Sequence, residues 1–148
     1  MKKILFVSKS MDFGGVEKSL IALLKKIPQD KYKITVLLMQ KKGGLLNEIP
    51  EWIEVNEIPN ISKPTKFKVM ELLKQMKFLK ALKLVYNLFM SMKSKSIYKS
   101  YVRYAKILPP LQERYDIAIS YFNPTAFPVV YTMNNTIAKK KLCGFIVM

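Results

Sequence analysis

The chain has 148 residues, half of them hydrophobic, with 26 Lys and Arg against 10 Asp and Glu, one Cys and no His. This length suits one domain with a buried core, the apolar content argues against a disordered polycation, and the net charge of +16 points to an anionic partner: a lipid surface, nucleic acid or a phosphorylated substrate. The lack of His excludes a Ser-His-Asp hydrolase and a His-ligated metal centre for this chain, and a single Cys forms no internal disulfide, which suits a reducing compartment.

The basic start Met1-Lys2-Lys3 leads into the apolar run Ile4 to Val7. That run is too short for a signal peptide and reads as a strand buried on both faces. No uncharged run approaches the roughly 18 residues of a membrane span. A cytoplasmic location is expected, with peripheral attachment to the inner face of the cell membrane as an option. Ser8 to Gly15 is a turn, broken by Asp12 and the Gly14-Gly15 pair. Val16 to Ile27 reads as a helix: Val16, Leu20, Leu23, Leu24 and Ile27 recur at helical spacing. Glu17 in the first turn and Lys25 and Lys26 in the last complement the helix dipole, and Pro28 closes the element. Lys33 to Met39 is a second buried strand, Lys41 to Gly44 a loop, and Leu45 to Ile49 a short helical turn. Ile53 to Ile58 is a weaker, peripheral strand, with Trp52 covering the edge of the core.

Residues 63 to 106 differ from the rest. They hold eleven Lys and Arg103 against a single acid, Glu71. Two helices are expected, Lys66 to Met92 and Ser96 to Leu108, ended by Pro109-Pro110. Leu72, Met76, Leu79, Leu82, Tyr86 and Phe89 form one apolar stripe. Two readings stay open. The helices pack on the sheet and show a solvated basic face, or they dock on an anionic membrane through Lys66, Lys74, Lys77 and Lys80, with Met70, Phe78, Phe89 and Met90 entering the interface. Nucleic acid is disfavoured, because Arg103 and Arg114 are the only arginines and Arg is the residue suited to bidentate base and phosphate contacts. Tyr98, Tyr101 and Tyr104, spaced three apart, suit interfacial or core packing better than base stacking.

Beyond this segment, Asp116 to Phe122 reads as a strand, Thr125 to Met133 as a helix and Lys141 to Val147 as a last strand, with Cys143 a buried small hydrophobe. The sequon Asn134-Asn135-Thr136 is read as chance. Alternating strands and helices make the fold class α/β: a Rossmann-like open, mostly parallel sheet with flanking helices.

A Gly pair between a first buried strand and a helix lets a ligand approach the backbone, and free amides at the helix start favour an electron-rich oxygen. It also serves simply as a turn. Neither G-x-G-x-x-G nor G-x-x-x-x-G-K-[ST] occurs, which lowers hydride transfer and ATP hydrolysis together.

The wider pattern is more specific. Lys2 to Leu38 reads KKILFVSKSMDFGGVEKSLIALLKKIPQDKYKITVLL, in which Ser10, Gly14, Gly15, Glu17 and Lys18 form the turn. This resembles the opening of the retaining GT-B glycosyltransferases of family four, with their K-I-L-F-V strand, S-x-x-x-G-G-x-E-[RK] turn, L-x-x-L helix and K-Y-x-[IV]-T-[VL]-L strand. Gly43 with Leu45 and Leu46 is similar to the family's G-x-L loop, Ile53 to Val55 to its third strand, and Tyr115 to Ser120 to the strand before its acceptor loop. Residues 63 to 106 are unmatched.

The resemblance implies one half of a two-domain enzyme of bacterial cell-surface glycan synthesis: a single N-terminal, acceptor-side domain over residues 1–148 with a basic helical insertion at about 63–110. Gly14 and Gly15 would lie at the cleft near the donor phosphates, flanked by Glu17 and Lys18, and Ser120 to Thr125, including Asn123, would form part of the acceptor loop. The partners implied are a nucleotide-sugar donor and a glycan or lipid-linked acceptor, with no cofactor and no metal. The nucleotide-sugar domain is not within the 148 residues, so the isolated chain is expected to be inactive in transfer. The alternative is a non-catalytic basic module for anionic membrane or nucleic acid.

Overall fold

The computed structural model describes residues 1–59, 61, 65–93, 96–122 and 126–143; the side chains of residues 65–68 and 91 are not among the described groups. Among the described residues five strands form one parallel sheet in the order β3-β2-β1-β4-β5. They are β1 (Lys2–Ser8), β2 (Tyr32–Leu38), β3 (Glu54–Glu57), β4 (Arg114–Ser120) and β5 (Ile137–Cys143). The helices are α1 (Gly15–Lys26), α2 (Thr65–Lys74), α3 (Phe78–Met92), α4 (Ile97–Ala105) and α5 (Phe127–Asn135), with a 3-10 turn at Leu46–Glu48. The expected α/β class is thus observed.

The two apolar runs occupy the centre of the sheet, where both faces are covered. On one face Leu20, Ile21 and Leu24 of α1 pack on Ile4 and Phe6 of β1 and on Ile34, Val36 and Leu38 of β2, with Met11, Leu45 and Ile49 closing the end. On the other, Ala105 of α4, Leu108 just beyond it, and Phe127, Val130 and Tyr131 of α5 cover Leu5, Val7 and Leu37. Trp52 packs at the margin of the first cluster, as its position suggested. Tyr101 meets Phe127 edge-on and Tyr104 meets it at a tilt, at 5.7 and 5.4 Å between ring centroids, so two of the three spaced tyrosines pack against the core. Burial pushes the Tyr131 hydroxyl up to about 12, and it donates to the Pro109 carbonyl at 3.2 Å. The sequon residue Asn135 is structural: its buried amide donates to the carbonyls of Ala105 and Leu108, at 2.8 and 3.1 Å, and caps the end of α4.

Three expectations need correction. The last strand is Ile137–Cys143, four residues before the expected start, and residues 144–148 lie outside the described residues. It pairs with β4 from Arg114↔Ile137 to Ser120↔Cys143 at the sheet edge, where Lys139, Lys140 and Lys141 can reach water and blunt the edge against further pairing. Cys143 is accordingly half-buried rather than a core residue. The long helix expected from Lys66 to Met92 is two helices. Met76 takes a left-handed backbone (φ 54°), its N–H bonds the Leu73 carbonyl at 3.0 Å, and the Lys77 N–H bonds the Leu72 carbonyl at 2.9 Å. This is a Schellman ending on a residue other than glycine. Lys77 then opens α3, its carbonyl accepting from Lys80 and Ala81.

At the amino edge of the sheet Asp116 accepts from Lys139 Nζ at 2.7 Å and from the Lys3 amide at 2.9 Å, and these bonds hold its carboxyl below the ordinary range. Glu113 is lowered likewise, first by its hydrogen bond from Lys3 Nζ at 2.9 Å. A depressed folded-state pKa contributes stability that is present above the unfolded value and lost as pH falls through the folded one. Acidification below about pH 4 is therefore expected to lower the urea midpoint, and Asp116→Asn to show a shallower decline over the same interval. Parallel declines in both proteins would refute a role for Asp116 in acid sensitivity.

Candidate functional site

The strand order changes direction at β1: β2 lies on one side and β4 on the other. In open α/β sheets the carboxyl edge at such a switch point is where a crevice opens. β1 ends there at Ser8 and β4 at Ser120, paired with Val7. Tyr121 fastens the two strand ends to α1. Its N–H bonds the Val7 carbonyl at 2.8 Å, its carbonyl accepts from Ser8 Oγ at 3.2 Å, and its hydroxyl lies 2.8 Å from Ser19 Oγ. Its ring meets Phe6 edge-on at 6.2 Å. Ser120 Oγ is fully buried and has no hydrogen-bond partner among the described residues, an arrangement that needs a reason.

The loop between β1 and α1 is held by its neighbour. The Met11 N–H bonds the Lys42 carbonyl at 2.9 Å, and the Leu45 N–H bonds the Met11 carbonyl at 3.0 Å. Ser10 Oγ donates to Asp12 Oδ2 at 2.6 Å. The next residue, Phe13, is 76% exposed and lies against Gly44, where a Cβ would come within 2.4 Å of its ring. An aromatic ring offered to solvent at the carboxyl edge was not foreseen from the sequence. The signal was there: an apolar residue inside a polar, glycine-bounded turn.

Gly14 and Gly15 do different things. Gly14 caps α1, and a Cβ on it would lie 2.2 Å from Glu17 Oε2. Glu17, buried at the third helical position, thus folds its carboxylate back over the helix start, the position from which an acid can satisfy N-terminal amides. Gly15 is exposed, no atom other than its chain neighbours and its own helix backbone lies within 4 Å of a Cβ built there, and its φ is not in the left-handed region. The fold itself thus places no demand for glycine at this position and leaves open space above it. Lys18 is exposed beside it, and Lys9, Lys41 and Lys42 on the two loops are exposed as well.

The structure thus brings Gly14, Gly15, Glu17 and Lys18 together at the start of α1 and sets Ser120 at the end of the adjoining strand. Asn123 lies outside the described residues, as does the side chain of Lys66. Lys74 ends α2 and Lys77 precedes α3, both exposed. Lys80 instead lines a cleft of about 550 Å³ between α2, α3 and the stretch after α4, with Glu71, Lys83 and Lys106 on the same walls. That stretch leads into β4 at its amino end, so the cleft is not part of the carboxyl-edge site. Among the described residues no group of three or more Cys, Asp or Glu side chains is arranged to hold a metal ion, and no helix is long and apolar enough to cross a membrane.

The fold and site define a Rossmann-like α/β domain with a glycine-bounded turn at its switch point. No protein-family model matches the chain, and comparison with the curated proteins and with the solved structures returns no match.

Proposed function

We propose that the chain is the acceptor-binding half of a nucleotide-sugar-dependent glycosyltransferase of cell-surface glycan synthesis. The observation that carries the reading is the convergence at the β1–β4 switch point: an exposed Gly15 with free space above it, a carboxylate folded over Gly14, and the ends of β1 and β4 fastened together by Tyr121. The ordered likeness of Lys2 to Ser120 to family-four transferases supports it.

The position of Glu17 sharpens the expected ligand. Glycan hydroxyls donate to a carboxylate, whereas a bare phosphate brought beside it is repelled. The start of α1 therefore suits a hydroxyl-rich acceptor better than donor phosphates. Phe13 adds an exposed apolar face for a sugar ring. Donor binding and transfer then require a nucleotide-sugar-binding domain facing this edge.

Amide chemical-shift mapping on the labelled chain tests the assignment. Glycan acceptors are expected to perturb Phe13, Gly15, Lys18 and Tyr121 more than residues of α2 and α3. Saturable acceptor binding mapped only to residues away from the carboxyl edge would overturn it, as would no binding by any acceptor together with no transfer after a donor domain is supplied.

A further inference from the structure

The apolar stripe of the basic segment faces outward. On α3, Phe78, Leu79, Leu82, Val85, Tyr86, Phe89 and Met92 are all exposed, Leu79 to 83%, Leu82 to 68% and Phe89 to 60%. At 3.6 residues per turn these seven fall within an arc of about 140°. The side chains buried against the rest of the molecule, Ala81 and Leu84, lie to one side of that arc, and Lys83 and Lys80 lie beyond its other edge, toward the cleft. Most of the helix's hydrophobic surface is thus presented to solvent, a contiguous patch of the kind that marks an interaction surface.

Charge selects the occupant. Lys77 and Lys93 stand at the two ends of α3, Lys83 flanks the arc, and Lys93 Nζ lies 5.9 Å from the centre of the Phe89 ring. Residues 63–106 carry twelve basic groups against one acid. A second copy seated on this face would bring two such segments together and set like charges against each other. A bilayer with anionic headgroups offers hydrocarbon to the arc and negative charge to the lysines at once, with lysine stems able to snorkel upward. We infer that α3 is an in-plane membrane-docking helix that seats its Phe78–Met92 apolar face in an anionic lipid surface. This inference is independent of the sugar-transfer reading. It also revises the expected contact set: Leu79, Leu82, Tyr86 and Phe89 carry the insertion, and Lys80 faces the cleft.

Cosedimentation with vesicles of phosphatidylglycerol and phosphatidylcholine, against phosphatidylcholine alone, tests it. The chain is expected to pellet with the anionic vesicles, less so at high salt. Leu82→Glu with Phe89→Glu is expected to weaken this binding by roughly tenfold or more while circular dichroism stays unchanged, both positions being exposed. Lys77→Gln with Lys93→Gln is expected to weaken it less and to flatten the salt dependence. Equal pelleting with both vesicle types, no pelleting with either, or anionic binding untouched by the Leu82 and Phe89 changes would each overturn the inference. So would self-association abolished by those changes in a protein that ignores lipid, since a second copy would then be the occupant.

Discussion

Gly43→Ala is expected to lower the urea midpoint while leaving the denaturant slope unchanged. Gly43 holds φ at 119°, a backbone conformation that L side chains rarely adopt. A Cβ placed there would lie 2.1 Å from the carbonyl carbon and oxygen of Met11. Neither atom can retreat, because Met11 is buried and its N–H and carbonyl are both engaged, with Lys42 and Leu45. Backbone strain and overpacking together cost roughly 2–5 kcal/mol, a large share of the 5–15 kcal/mol that holds a typical domain together. Gly44→Ala is the matched control. Its Cβ would meet the Phe13 ring, but that ring is largely exposed and can swing aside, so the control is expected to unfold near the wild-type midpoint. A wild-type midpoint for Gly43→Ala would show that the two loops are not clamped as described.

Gly15→Val carries the second large effect, on activity instead of stability. Room surrounds the position, its φ is ordinary, and it lies at the first position of α1, so the variant is expected to fold with an unaltered circular dichroism spectrum and urea midpoint. In a transferase assembled with a nucleotide-sugar domain, the isopropyl group would occupy the space where the ligand meets the backbone. Displacing a reacting group by about 1 Å costs roughly a hundredfold in rate, and transfer is expected to fall at least that far. Full activity in a folded Gly15→Val protein would remove Gly15 from the site. A Gly14→Ala variant asks a different question, because its Cβ would displace the Glu17 carboxylate. Loss of activity there, with Gly15→Val active, would move the chemistry from the open space to the acid.

Much of the sheet was legible because short, near-continuous apolar runs suit a central parallel strand, and β1 has one at Ile4 to Val7 and β2 one at Ile34 to Leu38, broken only by Thr35. β5 was misplaced because it is an edge strand. Pairing with β4 specifies it, and its side chains are free to be lysines, which an apolar-run criterion passes over. The break between α2 and α3 was hidden for a different reason. Its left-handed residue is Met76 where a glycine would have announced it, and the cost of about 1–2 kcal/mol for that conformation leaves no mark in the sequence. The site was half legible. The Gly14-Gly15 pair and Glu17 could be located by spacing, but the folding of Glu17 over Gly14 is a side-chain choice. Tyr121 reads as one more core aromatic until its hydroxyl is seen against Ser19.

Periodicity found the apolar stripe of α3 without its direction, since hydrophobicity states that a surface needs cover and not which cover. Of the described side chains on α3, Ala81 and Leu84 alone are buried, and Asn135 secures the far end of the segment by capping α4. Leu79, Leu82, Tyr86 and Phe89 could each become polar at little cost to folding, surface changes of this sort being worth about 0.5 kcal/mol or less. The sheet therefore places almost no constraint on the chemistry of this face: each of these side chains can be exchanged on a fixed frame, and under the membrane-docking inference their apolar character answers to the bilayer and not to the fold.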